Sequence, residues 1–458
     1  MGSRMCLRSA RVNHRPSAWP SLPSPATCPD IGGPRMEIEL ITTGTELLLG
    51  RVLNTHQQWL GQRLADAGYT LSRQVTVPDN DPAVCEAVQT ALGCAELVIT
   101  TGGLGPTSDD ITRGLIADLL ARPLGRDESV ASHIESFFER RNRPMPESVL
   151  VQAYVPEGAV VFPNEHGTAP GLAIEVSPNP FRAGGGPAWL IMLPGPPREL
   201  RPMVDDQAMP FIRKHLPLEQ PFHCSILRSL GIGESMVEDM LLGPLRPLMD
   251  RGLDLGFCAR IGQVDIRLSG SGPGMPAIIA EAESTIRGAI DKQIYGTDDE
   301  TIEQVVVGQL IATGETLAVA ESCTGGFLGH HITNVPGASA IFAGGVLAYS
   351  NAMKQKLLGV KKSTLAEHGS VSKPVAIEMA EGALTVSGAD HALSVTGIAG
   401  PGGGTPDKPV GTVWLGMASR GGRPLAIRQF HPYDRETFKH ATVHQALELL
   451  RRRLKKIG

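Results

Sequence analysis

Two groups of residues in this chain have the types and spacing that a chemical reaction needs. The first lies in AESCTGG, Ala320 to Gly326, and in PGASAIFAGGVLAYSNAMK, Pro336 to Lys354. Hydrolysis of an amide requires a nucleophile, a base to take its proton, and donors for the oxyanion. Ser322, Ser339, Tyr349 and Lys354 supply these types without any histidine. If Ser350 caps a helix beginning at Asn351, Lys354 stands near the positive end of that helix. A cation is disfavoured there, and dipole and burial together lower the amine toward a useful base. The competing arrangement makes Ser322 and Thr324 simple helix caps and leaves Lys354 in water. Cys323 reads as a small buried cysteine, because neither His330 nor His331 has a spacing that forces contact with it.

The second group is ITTGGLGPTSDDITRG, Ile99 to Gly114. Gly102, Gly103 and Gly105 follow an apolar run and let the backbone turn its N–H groups toward an anion at close range. Phosphate is the natural guest. One helix cap needs one carboxylate. Asp109 and Asp110 together, beside a glycine nest, favour a hydrated divalent cation bridging phosphate oxygens. TTGTELLLG, with Thr43 and Glu46, and LPGPPREL, with Glu199, end strands in the same way, so three loops are expected at one sheet edge. A further glycine-rich loop, Thr396 to Gly411, reads as a lid or ligand cradle with Thr396 and Gly397 at a strand end.

Positioning these loops takes alternating strands and helices. Apolar runs at Ile38 to Ile41, Leu97 to Ile99 and Trp189 to Leu193 predict strands. Thr55 to Ala67 carries Leu60, Leu64 and Ala67 at helical spacing, and Asp110 to Leu120 predicts a helix capped by its own acidic start. Such alternation implies a parallel or mixed sheet with covering helices, which binds ligands at the carboxyl ends of its strands. The middle of the chain changes character: a strand-like HCSILRSLGIG, a period-2 FCARIGQVDIRLSGSG and a helix over Ala277 to Lys292 form a small α+β unit. The closing RRRLKK predicts a solvated basic helix end.

The 458 residues suggest roughly three domains at about 150 residues each. The boundaries read as a disordered leader or over-called start at 1–35, then units at 36–216, 217–297 and 298–458. Aromatics at 4% and a net charge of −5 exclude the basic, stacking surface of a dedicated nucleic-acid binder. Seven cysteines without a CxxC pair fit a reducing cytoplasm and no structural zinc. No run of 18 apolar residues crosses a membrane.

The motifs carry a resemblance. TTGTELLLGRVLNTHQQWL, TGGLGPTSDDITR and LPGPPREL resemble the molybdenum-cofactor-biosynthesis-like domain of the competence-damage-inducible CinA family, and AESCTGG, AYSNAMK and SVTGIAGPGGG resemble its C-terminal amidase. The resemblance implies an α/β chain of three domains: a molybdopterin-binding-like α/β/α domain acting as an ADP-ribose pyrophosphatase, a small KH-type α+β domain, and an α/β nicotinamide mononucleotide deamidase. It implies a cytoplasmic homodimer that handles small nucleotides. Asp109 and Asp110 then hold a divalent ion (Mg, Mn or Co), with Thr43, Glu46, Gly102, Gly103 and Gly105 around the diphosphate. The deamidase needs no cofactor. In it Lys354 is the base and Tyr349 a hydrogen-bonding partner; Ser339 is the first choice of nucleophile and Ser322 the second, with Thr324, Gly325, Gly326, Thr396 and Gly397 at the substrate. The middle unit's GIGES offers no cation, so RNA clamping of the KH type is not expected. The alternative is a non-catalytic scaffold that holds a nucleotide or pterin and assists competence or recombination.

Overall fold

The computed structural model describes residues 36–456. The chain divides into two compact units, one ending at Glu219 and one beginning at Gln220. The expected leader lies outside the described residues.

The first unit is built on a six-stranded sheet. Its strands are β1 (Ile38–Thr43), β2 (Arg73–Val77), β3 (Leu97–Thr101), β6 (Val160–Phe162), β7 (Gly171–Val176) and β8 (Ala188–Leu193); a separate two-stranded ribbon pairs β4 (Leu124–Arg126) with β5 (Tyr154–Pro156). The sheet order is β2-β1-β3-β8-β7-β6, parallel through β8 and antiparallel beyond it. IELITT and LVITT are buried on both faces, as near-continuous apolar runs in central parallel strands must be. One face packs against Leu60, Leu64 and Ile212, the other against Val84, Val88 and Ile116. Asn54 caps the helix Thr55–Asp66, its side chain accepting from the Gln57 amide at 3.2 Å. The helix expected from Asp110 begins at Thr112 instead, and its N-terminus has no side-chain cap. Asp110 closes the preceding turn, accepting from the Thr107 amide at 2.9 Å and the Thr107 hydroxyl at 2.5 Å.

The second unit carries two sheets. β9 (Phe222–Leu230), β10 (Asp254–Arg260), β11 (Gln263–Ser271) and β12 (Ile294–Thr297) form an antiparallel sheet in the order β10-β11-β9-β12. Helices Glu234–Met249 and Met275–Ile290 cover it through Leu241, Leu245, Ile279 and Ile286. The other sheet has the order β14-β13-β15-β16-β17, with β13 (Leu317–Glu321), β14 (Phe342–Leu347), β15 (His391–Gly397), β16 (Thr412–Ser419) and β17 (Leu425–Phe430). β13 is an interior strand, next to the edge strand β14, and parallel to both neighbours. Helices Ile302–Thr313, Phe327–Thr333 and Arg435–Leu454 pack on one face, and helices Asn351–Leu358 and Lys373–Ser387 on the other. The first of these opens with a reciprocal capping box between Thr301 and Gln304.

The basic end of the last helix is not simply solvated, as its charge run predicts. Arg451 is fully buried: its guanidinium meets Glu448 at 2.6 Å and donates to the carbonyls of Lys292 at 2.7 Å and Ile294 at 3.2 Å. The spacing rule for caps and dipoles is silent about a carboxylate one turn earlier that can pair with the cation. Arg452 reaches the same carboxylate from the half-exposed side at 2.7 Å.

Gly382 fixes the helix that bears Lys354. A Cβ at Gly382 would stand 2.0 Å from the carbonyl oxygen of Leu358, so only glycine lets helices Lys373–Ser387 and Asn351–Leu358 approach this closely. Backbone cannot yield as a flexible side chain does. Gly382→Ala is therefore expected to destabilise the chain by about 1–3 kcal/mol in urea unfolding, as overpacking does; an unchanged midpoint would show that the two helices separate freely.

Candidate functional site

Strand pairing builds the serine–lysine group. Glu321 of β13 lies opposite Leu347 of β14, and the Ala348 amide donates to the Glu321 carbonyl at 2.8 Å, so the chain leaves both strands at one point. Ser322 follows β13; Ala348, Tyr349 and Ser350 follow β14. Ser350 caps the next helix, accepting from the Met353 amide at 3.2 Å, as its spacing predicts. Lys354 is then in the first turn and folds back beneath the loop, 1% exposed. Its Nζ lies 2.8 Å from Ser322 Oγ, 2.9 Å from the Ala348 carbonyl and 3.1 Å from the Tyr349 carbonyl.

Those three neighbours match a neutral amine. Two carbonyls can only accept, which uses both N–H groups of an uncharged amine and leaves its lone pair to the Ser322 hydroxyl proton. Burial pushes the Lys354 amine below its ordinary pKa of 10.5, and among the described residues no carboxylate forms an ion pair with it. Burial also pushes the Cys323 thiol up to about 12, so the neighbouring sulfur stays protonated and is no rival nucleophile.

Ser339 sits elsewhere. It is exposed in the 3-10 turn Ala338–Ala340, and among the described residues no hydrogen bond joins it to Lys354. The serine brought to the lysine is Ser322, the second choice from sequence. Tyr349 engages Lys354 by its carbonyl rather than its ring; the side chain is 64% exposed and its hydroxyl lies 3.4 Å from Arg435. Arg435 also donates to the Gly400 carbonyl at 3.0 Å, which ties the glycine-rich loop to the tyrosine. Sequence reasoning passed over this arginine, although a cation at the first residue of a helix is a recognisable anomaly.

Backbone donors surround Ser322. Gly325 and Gly326 adopt φ of 66° and 98°, and Glu321, buried, accepts from the amides of Gly326, Leu328 and Gly329 at 3.0, 3.0 and 2.8 Å. That carboxylate holds the loop rigid. Among the described residues, no backbone hydrogen bond engages the amides of Thr324 and Gly325, and the buried Thr324 hydroxyl has no partner. Ser322 is pinned to β15 through its amide and the Val395 carbonyl at 3.1 Å; Thr396, next along, donates its hydroxyl to the Ser370 carbonyl at 2.8 Å, and Gly397 ends the strand.

In the first unit, the three expected loops do meet. Thr43, Glu46, Gly102, Gly103, Gly105, Asp109, Asp110 and Glu199 all line one cleft of about 520 Å³ at the carboxyl ends of β1, β3 and β8. Gly103 has φ of 67°, and a Cβ there would stand 2.0 Å from the Thr112 hydroxyl, which keeps the loop bare. His56, Asp79 and Gln152 also line the cleft without having been singled out; His56 contacts the Gly195 carbonyl, and burial lowers its pKa. Thr101 Oγ1 and Gln152 Oε1 are buried there without partners among the described residues. Asp109 is exposed, and hydrogen bonding from Thr107 holds its carboxyl below the usual range. An all-oxygen set of one or two carboxylates, with room for water and phosphate, fits a hard divalent cation.

The amine's displacement has a stability signature. Between its lowered folded pKa and 10.5, the unfolded chain holds a proton that the folded chain lacks, so stability rises with pH across that window by up to about 1.4 kcal/mol per unit. Lys354→Met is expected to flatten that slope in urea unfolding measured from neutral to alkaline pH. Parallel slopes for the two proteins would mean an amine charged in water.

Known proteins align along the same two units. Residues 299–454 match the CinA C-terminal domain, and residues 39–214 match the probable molybdopterin binding domain. A CinA-like protein of Akkermansia muciniphila is 43% identical over 413 residues, covering 90% of this chain and 96% of its own. A putative competence-damage inducible protein of Caldicellulosiruptor bescii is 43% identical over 426 residues, covering 92% and 99%. Among solved structures, competence/damage inducible protein CihA of Agrobacterium tumefaciens is 39% identical over 33% of this chain and 94% of its own, with a TM-score of 0.32. At such identity over nearly the whole length, the chain belongs to the CinA family.

Proposed function

We propose that this chain is a hydrolase with two activities: its C-terminal site deamidates nicotinamide mononucleotide to nicotinic acid mononucleotide and ammonia, and its N-terminal site splits ADP-ribose to AMP and ribose 5-phosphate. The observation that carries the first activity is the buried 2.8 Å contact between Lys354 Nζ and Ser322 Oγ. Lys354 takes the hydroxyl proton as Ser322 Oγ attacks the carboxamide carbon. The oxyanion falls to the unengaged amides of Thr324 and Gly325. Lys354 then returns the proton to the departing nitrogen, which leaves as ammonia, and an acyl ester remains on Ser322. Water, deprotonated by the same amine, hydrolyses the ester and restores the serine. Arg435 and the glycine-rich loop stand at the mouth of the site, where a nucleotide phosphate needs a cation and backbone donors.

For the second activity, the glycine nest would receive the diphosphate and Asp109 and Asp110 would hold the divalent ion, in a cleft that Glu46 and Glu199 also line. A bound divalent ion supplies charge neutralisation at the diphosphate. Gly103 offers its amide at close range, the Gly102 amide being donated to the Leu193 carbonyl at 3.0 Å, and the Thr101 hydroxyl, without a partner among the described residues, offers a further donor.

Ser322→Ala and Lys354→Ala are each expected to lower ammonia release from nicotinamide mononucleotide by at least about 10²–10⁴-fold, the span of a general base, while Ser339→Ala stays near wild type. Trapping the acyl intermediate and mapping it to Ser339 would overturn the assignment. EDTA is expected to leave ammonia release intact and to abolish ADP-ribose cleavage, and Asp109→Asn to depress cleavage alone; cleavage that persists in chelator would count against the N-terminal reading.

A further inference from the structure

A cluster of titratable side chains lies apart from the Ser322–Lys354 pair, where three helices meet. Glu303 is in helix Ile302–Thr313, His331 in helix Phe327–Thr333, and His440 and His444 share one face of helix Arg435–Leu454 at i and i+4. One ligand atom each from Glu303, His331 and His444 lies within 4.8 Å of the others. We propose that Glu303, His331 and His444 bind a divalent transition-metal ion of the zinc class, a site separate from both hydrolytic centres and independent of their assignment.

Chemistry and geometry agree on that ion. Two imidazoles and one carboxylate are the borderline-soft donor set that zinc takes as three protein ligands, with solvent in the fourth position. His444 Nδ1 lies 3.3 Å from the Ile261 carbonyl, in the turn between β10 and β11, which turns Nε2 to the cluster. A ligating histidine ordinarily spends its second nitrogen on a carbonyl in this way. His331 Nδ1 and the Glu303 carboxylate are in direct contact, so the proton they share is what an entering ion displaces to solvent. Phe327 packs edge-on against His331 and His440, with ring centroids at 4.5 and 4.7 Å, and shields one side of the cluster. His440 is 5.7 Å from His331 between ring centroids and flanks the site rather than completing the triad.

The ion would join three helices, two of which already meet through the Glu303–His331 contact. One of them follows the Ser322 loop and another begins at Arg435. The carboxylate-rich cleft of the first unit, which a single histidine lines, is a different kind of site, so the two are separable by spectrum and by substitution.

The test uses the full chain, stripped with chelator and dialysed. Co²⁺ is expected to give the intense visible bands of four-coordinate cobalt, and Zn²⁺ competition against a chromogenic chelator to count one more tight ion per wild-type chain than per His331→Ala/His444→Ala chain. Each single variant, and Glu303→Gln, is expected to weaken that ion at least tenfold while far-ultraviolet circular dichroism stays native; His440→Ala is expected to retain it. Should His331→Ala fail to fold, His444→Gln gives the same reading from the opposite helix. Wild-type chain without the four-coordinate bands, or folded variants with wild-type stoichiometry, would overturn the site.

Discussion

The organising constraint in the C-terminal half is a lysine amine placed where a charge is expensive. An ammonium group stripped of water and given no counter-ion costs several kcal/mol, and proteins resolve this by neutralising it. Lys354 has two carbonyls and a hydroxyl as neighbours, a set that an uncharged amine satisfies completely. Much nearby architecture maintains that environment. The parallel pairing of β13 and β14 brings the hydroxyl and the carbonyls to one point, Ser350 anchors the start of the lysine's helix, and Gly382 lets the neighbouring helix press it inward.

On the proposed reading, the N-terminal half meets the opposite problem, holding negative charge on a mildly acidic protein. It does so with backbone rather than cations. Three adjacent parallel strands end in turns rich in glycine, threonine or proline, and the carboxylates around the cleft would suit a ligand that arrives with its own counter-ion. On that reading, one chain would use two routes to phosphate-bearing nucleotides: backbone amides with carboxylates in one unit, and an arginine beside a glycine-rich loop in the other.

Local rules made much of this legible. Strand ends, the Ser350 cap and the burial of Lys354 follow from residue types at fixed spacing, and so does the meeting of three loops at one sheet edge. What escaped depends on partners distant in sequence. Choosing Ser322 over Ser339 requires knowing that β14 lies beside β13 and that the chain turns at Ala348. Glu321 looks like the end of a strand until the amides of Gly326, Leu328 and Gly329 are seen to converge on it. Asp110 satisfies a turn at Thr107 where a helix cap was expected, because both roles suit an aspartate equally and only the turn's geometry decides. The Glu303–His331–His444 cluster draws on three helices, so no spacing along the chain announces it.

Arg451 has a consequence for where the chain can be cut. Its guanidinium is satisfied partly by Glu448 on its own helix and partly by the carbonyls of Lys292 and Ile294, which precede the catalytic sheet in the chain. A fragment excised from Asp298 onward keeps every strand of that sheet yet leaves the guanidinium's remaining donors pointing at solvent. The last turns of the terminal helix are therefore coupled to the segment before the sheet, and in such a fragment water would take the place of the two carbonyls while the Glu448 pair remains.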